Sequence, residues 1–261
     1  MSEIDVQNEL DHLRRQLAMT VALKFHLMPT AVPAFPDVPS VDVYADQITL
    51  AQVGGDFYDY FRIDADHIGL LVADIFDGGD AAALYMIALK LYLAGELTMG
   101  FDAAKLIGDV NNRLCHANED DLCLSAWYGV YEISTGVITA VNAGHEPPLL
   151  LRDGQVSLCP NEVSSYLLAV MEGIPYESYE IRLEPGDRLL LYTDGVTAAK
   201  DSAGAHFTEE MIRRVLATTG GMDSEEAVGT LQDALFAHVG EEPLRDDATF
   251  LCLSRKGDPV A

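Results

Sequence analysis

A few aspartates occupy positions that a solvated surface does not require. Asp56 follows Gly54-Gly55 at the start of a strand pattern, Asp74 ends the apolar run 69–73, and Asp194 follows the run 189–192 and precedes Gly195. Asp246 and Asp247 stand immediately before the last apolar stretch, 248–253. Each lies where a strand would meet a flexible or tight turn. If these strand ends gather at one end of a sheet core, the carboxylates converge, and like charges in a confined site disfavour ionisation. Divalent metal resolves that conflict. Short aspartates with water and backbone oxygens form the octahedral, all-oxygen shell that suits Mg²⁺ or Mn²⁺. Four carboxylates and two divalent ions sum to about zero charge, and such a centre accepts a phosphate, activates a water and clamps an in-line displacement. Taken singly, an Asp-Gly or Asp-Asp pair is a turn or a cap; the set carries the argument.

Competing chemistries are poorly supplied. The four cysteines, Cys115, Cys123, Cys159 and Cys252, sit far apart with no C-x-x-C pair and no C-x5-R motif. That spacing argues against zinc, a disulfide framework and a cysteine nucleophile, and leaves buried free thiols. The 261 residues are 49% hydrophobic and 22% charged, as in globular chains, but 42 acidic residues face 16 basic ones for a net charge of −26. So acidic a surface excludes nucleic acid and anionic lipid as partners, since both need Lys/Arg patches. No apolar run approaches the roughly 20 residues of a membrane span. The start, Met1-Ser2-Glu3-Ile4-Asp5, lacks the blocks of a signal peptide, so a cytoplasmic protein is expected.

The elements that must position the aspartates follow from periodicity. Val6, Leu10, Leu13, Leu17 and Leu27 mark a heptad seam, so a helix is expected over 4–28, either dimerising or lying on its own domain. Pro29, Pro33, Pro36 and Pro39 then predict an extended linker over 29–40. From 41 the period is two. Strands are expected at 41–50, 57–63, 68–75, 122–133, 137–142, 149–152, 181–183, 188–192 and 248–253, with helices at 80–98, 102–116, 208–217 and 224–239. Tight turns between consecutive strands and helices grouped in pairs indicate an α+β domain over 41–254, with a tail at 255–261.

The order of motifs is specific. Val53-Gly54-Gly55-Asp56-Phe57-Tyr58-Asp59 comes first, then Asp74 with a glycine-bearing loop and an Ala-rich helix. Asn142-Ala143-Gly144-His145-Glu146-Pro147-Pro148, Tyr192-Thr193-Asp194-Gly195-Val196-Thr197 and Asp246-Asp247-Ala248-Thr249 follow. Over about residues 40–254 this resembles the SpoIIE/RsbU-type serine phosphatases, a bacterial branch of the metal-dependent PPM (protein phosphatase 2C-like) family. The resemblance implies an α-β-β-α sandwich of two antiparallel sheets flanked by helices. It implies hydrolysis of phosphoserine or phosphothreonine on a protein by a metal-bridging hydroxide, with two Mn²⁺ or Mg²⁺ ions and no phosphoenzyme. The substrate in this branch is commonly a small STAS-domain anti-sigma-factor antagonist.

By motif position the resemblance makes Asp56, Asp74, Asp194 and Asp246 metal-binding carboxylates, with Asp247 the alternative to Asp246, and gives the backbone carbonyl of Ile75 as a further ligand. His145 is either a proton donor to the leaving oxygen or the residue that orders its turn; Arg245 either holds phosphate or pairs with Asp247. Asp59 is a candidate for orienting a water, and Trp127 and Tyr128 are expected in the core. One departure stands out. Where the family loop reads D-[IV]-S-G-x-G, this chain has Asp74-Ile75-Phe76-Asp77-Gly78-Gly79-Asp80. That change favours the rival expectation of a catalytically weak PPM-like module that sequesters a phosphoprotein or sigma-factor regulator.

Overall fold

The computed structural model describes residues 28–49, 55–76, 86, 89–90, 92, 102–118, 122–159 and 166–257. The expected helix at 4–28, apart from Met28, most of the expected helix at 80–98 and the end of the tail lie outside the described residues. The strands are β1 (Val41–Ile48), β2 (Asp56–Arg62), β3 (His67–Ile75), β4 (Leu124–Glu132), β5 (Val137–Ala143), β6 (Leu149–Arg152), β7 (Gln155–Leu158), β8 (Tyr179–Arg182), β9 (Arg188–Tyr192) and β10 (Ala248–Arg255). They form two antiparallel sheets, β1-β10-β9-β6-β7 and β2-β3-β4-β5-β8. The described helices are α1 (Ala103–Ala117), α2 (Asp194–Ala198), α3 (Glu209–Ala217) and α4 (Ser224–Val239).

Alternation of side chains sorts each strand between two layers. In the first sheet Leu189, Leu191, Leu251 and Leu253 join the core shared with the second sheet. Their neighbours Leu190, Tyr192, Phe250 and Cys252 face Ile212, Leu216, Leu231 and Leu235 of α3 and α4. The helix α1 covers the second sheet with Ile107, Val110 and Leu114. The α+β sandwich expected from the sequence is the architecture observed. Local signals set the helix starts. Asp102 accepts the Lys105 amide at 3.0 Å to cap α1, and Asp223 with Glu226 forms a reciprocal capping box on α4. Trp127 and Tyr128 are fully buried, as expected, and Trp127 donates to the Tyr179 hydroxyl at 2.8 Å.

Two features go beyond the sequence expectation. The stretch 29–40 packs on the domain. Phe35 packs edge-on against Tyr60 with ring centroids 5.9 Å apart, Arg62 lies over the Phe35 ring, and Tyr60 donates to the Ala31 carbonyl. Prolines break helices there without releasing the chain, because Phe35 supplies an apolar anchor. The short helix α2, beginning at Asp194 directly after β9, has too few turns for periodicity to reveal. No helix among the described residues is long and apolar enough to cross a membrane.

Candidate metal centre

The start of β2 and the end of β3 lie side by side, with Asp56 and Asp74 as cross-strand partners. The Ile75 amide donates to the Gly55 carbonyl at 3.1 Å. A Cβ on Gly55 would come within 2.3 Å of the Ile75 carbonyl oxygen and 2.9 Å of an Asp74 carboxylate oxygen, so only glycine leaves that carbonyl and carboxylate room. The other sheet contributes from the facing strand ends. Thr193 stands at the N-cap position of α2, Asp194 is its first residue, and Asp246 and Asp247 lead into β10. A Cβ on Gly195 would come within 1.7 Å of the Asp247 carbonyl oxygen. This second glycine is what lets the two acidic segments close on each other.

The side chains divide into an inner and an outer set. Asp56 is 1% exposed, and its Oδ2 accepts hydrogen bonds from the Thr193 and Thr249 hydroxyls, both at 2.6 Å. Asp247 is also buried and accepts from the Gln47 side-chain amide at 3.0 Å; the same amide reaches the Asp56 carbonyl at 3.1 Å. Asp194 and Asp246 are exposed at the mouth, and an Asp246 oxygen accepts the Asp247 amide at 2.9 Å.

Electrostatics marks the cluster as short of positive charge. Burial, then the Asp74 charge, holds Asp56 well above the ordinary carboxylate range, although the two threonine hydroxyls oppose the shift. Asp74 is pushed up to about 7 by burial, then by Asp194 and Asp246. Asp194, only partly desolvated at the mouth, is raised first by that desolvation and then by Asp246. Among the described residues no three His, Cys, Asp or Glu side chains are gathered closely enough to hold an ion by themselves. Bare like charges resist that final approach. The donor set nevertheless fits a hard divalent cation: carboxylate oxygens from both sheets, a backbone carbonyl beside a glycine, and no sulfur or imidazole among them.

The remaining sequence candidates are placed as follows. His145 is buried, its Nδ1 meets the Ser125 hydroxyl at 2.8 Å, and its main chain is held by both ends of the Asn142 amide. Burial drives its pKa down to about 4. Arg245 is exposed next to Asp246, and Asp247 accepts from the Gln47 side-chain amide. Asp59 lies three residues from Asp56, on the opposite face of β2, where it pairs with Lys90 at 2.8 Å. Phe76 donates its amide to the Cys123 carbonyl at 3.0 Å, and residues 77–80 of the altered loop lie outside the described residues. Sequence reasoning missed Thr193, Thr249 and Gln47. The two threonines had a signal, hydroxyls flanking acidic motifs at strand ends. Gln47 had none, because its role depends on the pairing of β1 with β10.

A sandwich of two antiparallel sheets with aspartates converging from strand ends of both is the arrangement of the PPM, or PP2C-like, phosphatases. The family model described as Stage II sporulation protein E (SpoIIE) matches residues 64–256, and the chain belongs to that family, a SpoIIE/RsbU-type PPM phosphatase. It is 24% identical over 246 residues to phosphoserine phosphatase RsbU of Bacillus subtilis (strain 168), covering 94% of this chain and 71% of RsbU. It is 26% identical over 253 residues to protein IcfG of Synechocystis sp. (strain ATCC 27184 / PCC 6803 / Kazusa), covering 85% of this chain and only 39% of IcfG. The SiaA-PP2C domain of Pseudomonas aeruginosa superposes with a TM-score of 0.79 at 18% identity, covering 96% of this chain and 99% of that one. The catalytic domain of the serine/threonine phosphatase PstP, solved in complex with two manganese ions, superposes with a TM-score of 0.62 at 15% identity over 83% of this chain and 99% of that one.

Proposed function

We propose that this domain is a divalent-cation-dependent protein phosphatase that hydrolyses phosphoserine on a regulatory protein, a small STAS-domain anti-sigma-factor antagonist. The observation that carries this reading is the convergence of Asp56 and Asp74 from one sheet with Asp194 and Asp246 from the other, each of the first three raised first by burial and then by its acidic neighbours. The phosphoserine phosphatase RsbU and the manganese complex of PstP support the reaction class and the metal. On this reading Asp56, Asp74, Asp194, Asp246 and the Ile75 carbonyl hold two Mn²⁺ or Mg²⁺ ions. Asp246 takes precedence over Asp247, since Asp247 is buried against Gln47 while Asp246 stands at the mouth. When bound, the ions supply charge neutralisation and the acidity that brings a water toward ionisation near neutral pH.

The chain's own groups then have separable tasks. The aspartates repel a phosphate dianion until they are neutralised, so substrate affinity and metal loading rise together. Arg245, exposed beside Asp246, would hold a phosphate oxygen. His145, neutral and buried against Ser125, orders the connection from β5 to β6 and is not the proton donor. Residues 4–28 would add self-association. The test is Mn²⁺-dependent release of phosphate from a phosphoserine STAS-type protein, with chelator and Asp194→Asn as controls. Turnover lost in both controls upholds the reading. Retained binding of the phosphoprotein without turnover would replace it with the sequestering module.

A further inference from the structure

Asp56 is held more firmly than a ligand gathered by its ion would need to be. Its Oδ2 receives two hydroxyl hydrogen bonds of 2.6 Å, from Thr193 and Thr249. A third bond organises them: the Thr249 amide donates to the Thr193 hydroxyl oxygen at 3.0 Å, so that hydroxyl relays a backbone N–H onto the carboxylate. Both threonines are 0% exposed and Asp56 is 1% exposed, which leaves no water to substitute for either hydroxyl. Thr193 and Thr249 come from the adjoining ends of β9 and β10, joined also by the Thr193 amide to the Thr249 carbonyl at 3.2 Å. The orientation of this carboxylate is therefore set by how the two sheets pack.

An oxygen that accepts two hydroxyls has both of its lone-pair directions occupied. We infer that Thr193 and Thr249 are positioning residues that confine Asp56 to coordination through its other oxygen, and that they bias the centre toward small octahedral cations and against Ca²⁺. The physical basis is coordination number. Ca²⁺ takes roughly 6–8 oxygens and commonly recruits carboxylates with both oxygens at once, whereas Mg²⁺ demands a near-ideal octahedron. A carboxylate locked as a single-oxygen donor satisfies the second requirement and cannot expand to meet the first. This inference rests on the proposed role of Asp56 as a metal ligand, and the experiment separates the two.

Isothermal titration of the full chain with MnCl2 and, separately, with CaCl2 at fixed ionic strength reads both affinities without any turnover. The variants are Thr193→Val with Thr249→Val, the single Thr249→Val, and the paired Thr193→Ser with Thr249→Ser, each checked for fold by circular dichroism. In the paired valine variant Mn²⁺ binding is expected to weaken about 10–100-fold while Ca²⁺ binding changes by less than about threefold. The paired serine variant, which keeps both hydroxyls, is expected to retain the wild-type Mn²⁺/Ca²⁺ ratio. If the paired valine variant does not fold, the single variant carries the same expectation at smaller amplitude. An unchanged ratio in a folded valine variant, or a ratio lost equally with serine, overturns the inference and leaves the metal centre standing. Wild-type protein that binds Mn²⁺ no differently from its Asp56→Asn variant overturns both.

Discussion

Strands β9 and β10 carry a buried polar cluster at each end, and the two are built on opposite terms. At one end Arg188, the register partner of Ser254, donates five hydrogen bonds: to the Ser254 hydroxyl, to the Thr219 carbonyl and hydroxyl, and to the Met222 and Asp223 carbonyls. None of its partners is a carboxylate. The guanidinium is neutralised by the carbonyl dipoles where the chain leaves α3, the end of a helix that favours positive charge. Ser224 extends the cluster to Ser254 and to Asp42, tying the start of α4 to β1. At the other end, the threonine pair satisfies one oxygen of Asp56, but Asp74 and Asp194 are raised by burial and then by neighbouring carboxylates. A fully satisfied network rigidifies a fold. A cluster that lacks its counter-charge is held at a cost, and such local conflicts concentrate where a ligand completes them.

The largest test of that contrast neutralises one member of each cluster. Asp194→Asn is expected to lower Mn²⁺-dependent phosphate release by about 10³-fold or more, since it removes a ligand at the proposed reacting centre. Its melting temperature without metal is expected to hold or rise. Arg188→Met is expected to do the reverse. It leaves the Thr219, Met222 and Ser254 oxygens without their donor and costs about 3 kcal/mol in urea unfolding, with turnover per folded molecule unchanged. Equal effects of both variants on turnover would erase the distinction between the ends.

The two ends also differ in how they respond to pH. The Asp74 pKa is raised from the ordinary value near 3.8 to about 7, so between those pH values the folded state keeps a proton that the unfolded chain has lost. Unfolding free energy therefore falls as pH rises through that window, and the loss is complete above the folded pKa. For metal-free protein this contribution is expected to be about 1–3 kcal/mol between pH 4 and pH 7. Urea denaturation across that range should show Asp74→Asn losing less than wild type, while Arg188→Met runs parallel to wild type. A wild-type curve no steeper than that of Asp74→Asn would mean the carboxylates do not oppose one another in the folded chain.

What was legible in the sequence was local. Hairpins such as β2–β3 and the cap at Asp102 follow from alternation and turn residues within a few positions, and the aspartates were found because each stands at a strand end. What was hidden was everything that depends on one sheet meeting the other. Thr193 and Thr249 reach Asp56 across 137 and 193 residues of chain. Asp59 is the instructive case. Its place in the VGGDFYD motif suggested a role at the cluster, yet an odd offset from Asp56 along a strand sends it to the far face, beside Lys90. The proline spacing of 29–40 likewise said nothing of where Phe35 would bury.

The smallest expected effect concerns the backbone. Beside Arg188, left-handed positions are occupied by glycine: Gly186 at φ 98° and Gly221 at φ 84°. At the carboxylate end Ala169 takes φ 66°. It directly follows Leu168, which exchanges hydrogen bonds with Leu124 next to the Asp74–Ser125 pair. A side chain of α1 and that of its C-cap residue, Asn118, impose the conformation. The Asn111 carbonyl oxygen accepts the Ala169 amide at 2.9 Å, and Asn118 donates to the Ala169 carbonyl at 3.1 Å. A left-handed non-glycine residue costs about 1–2 kcal/mol. Glycine would remove that strain but return about 0.4–1 kcal/mol through the greater freedom of the unfolded chain. Ala169→Gly is therefore expected to stabilise the domain by about 0.5 kcal/mol, a rise of about 1–2 °C in melting temperature. A fall instead would show that the buried Ala169 methyl contributes more through packing than its backbone costs, and that the carboxylate end is strained in its charges alone.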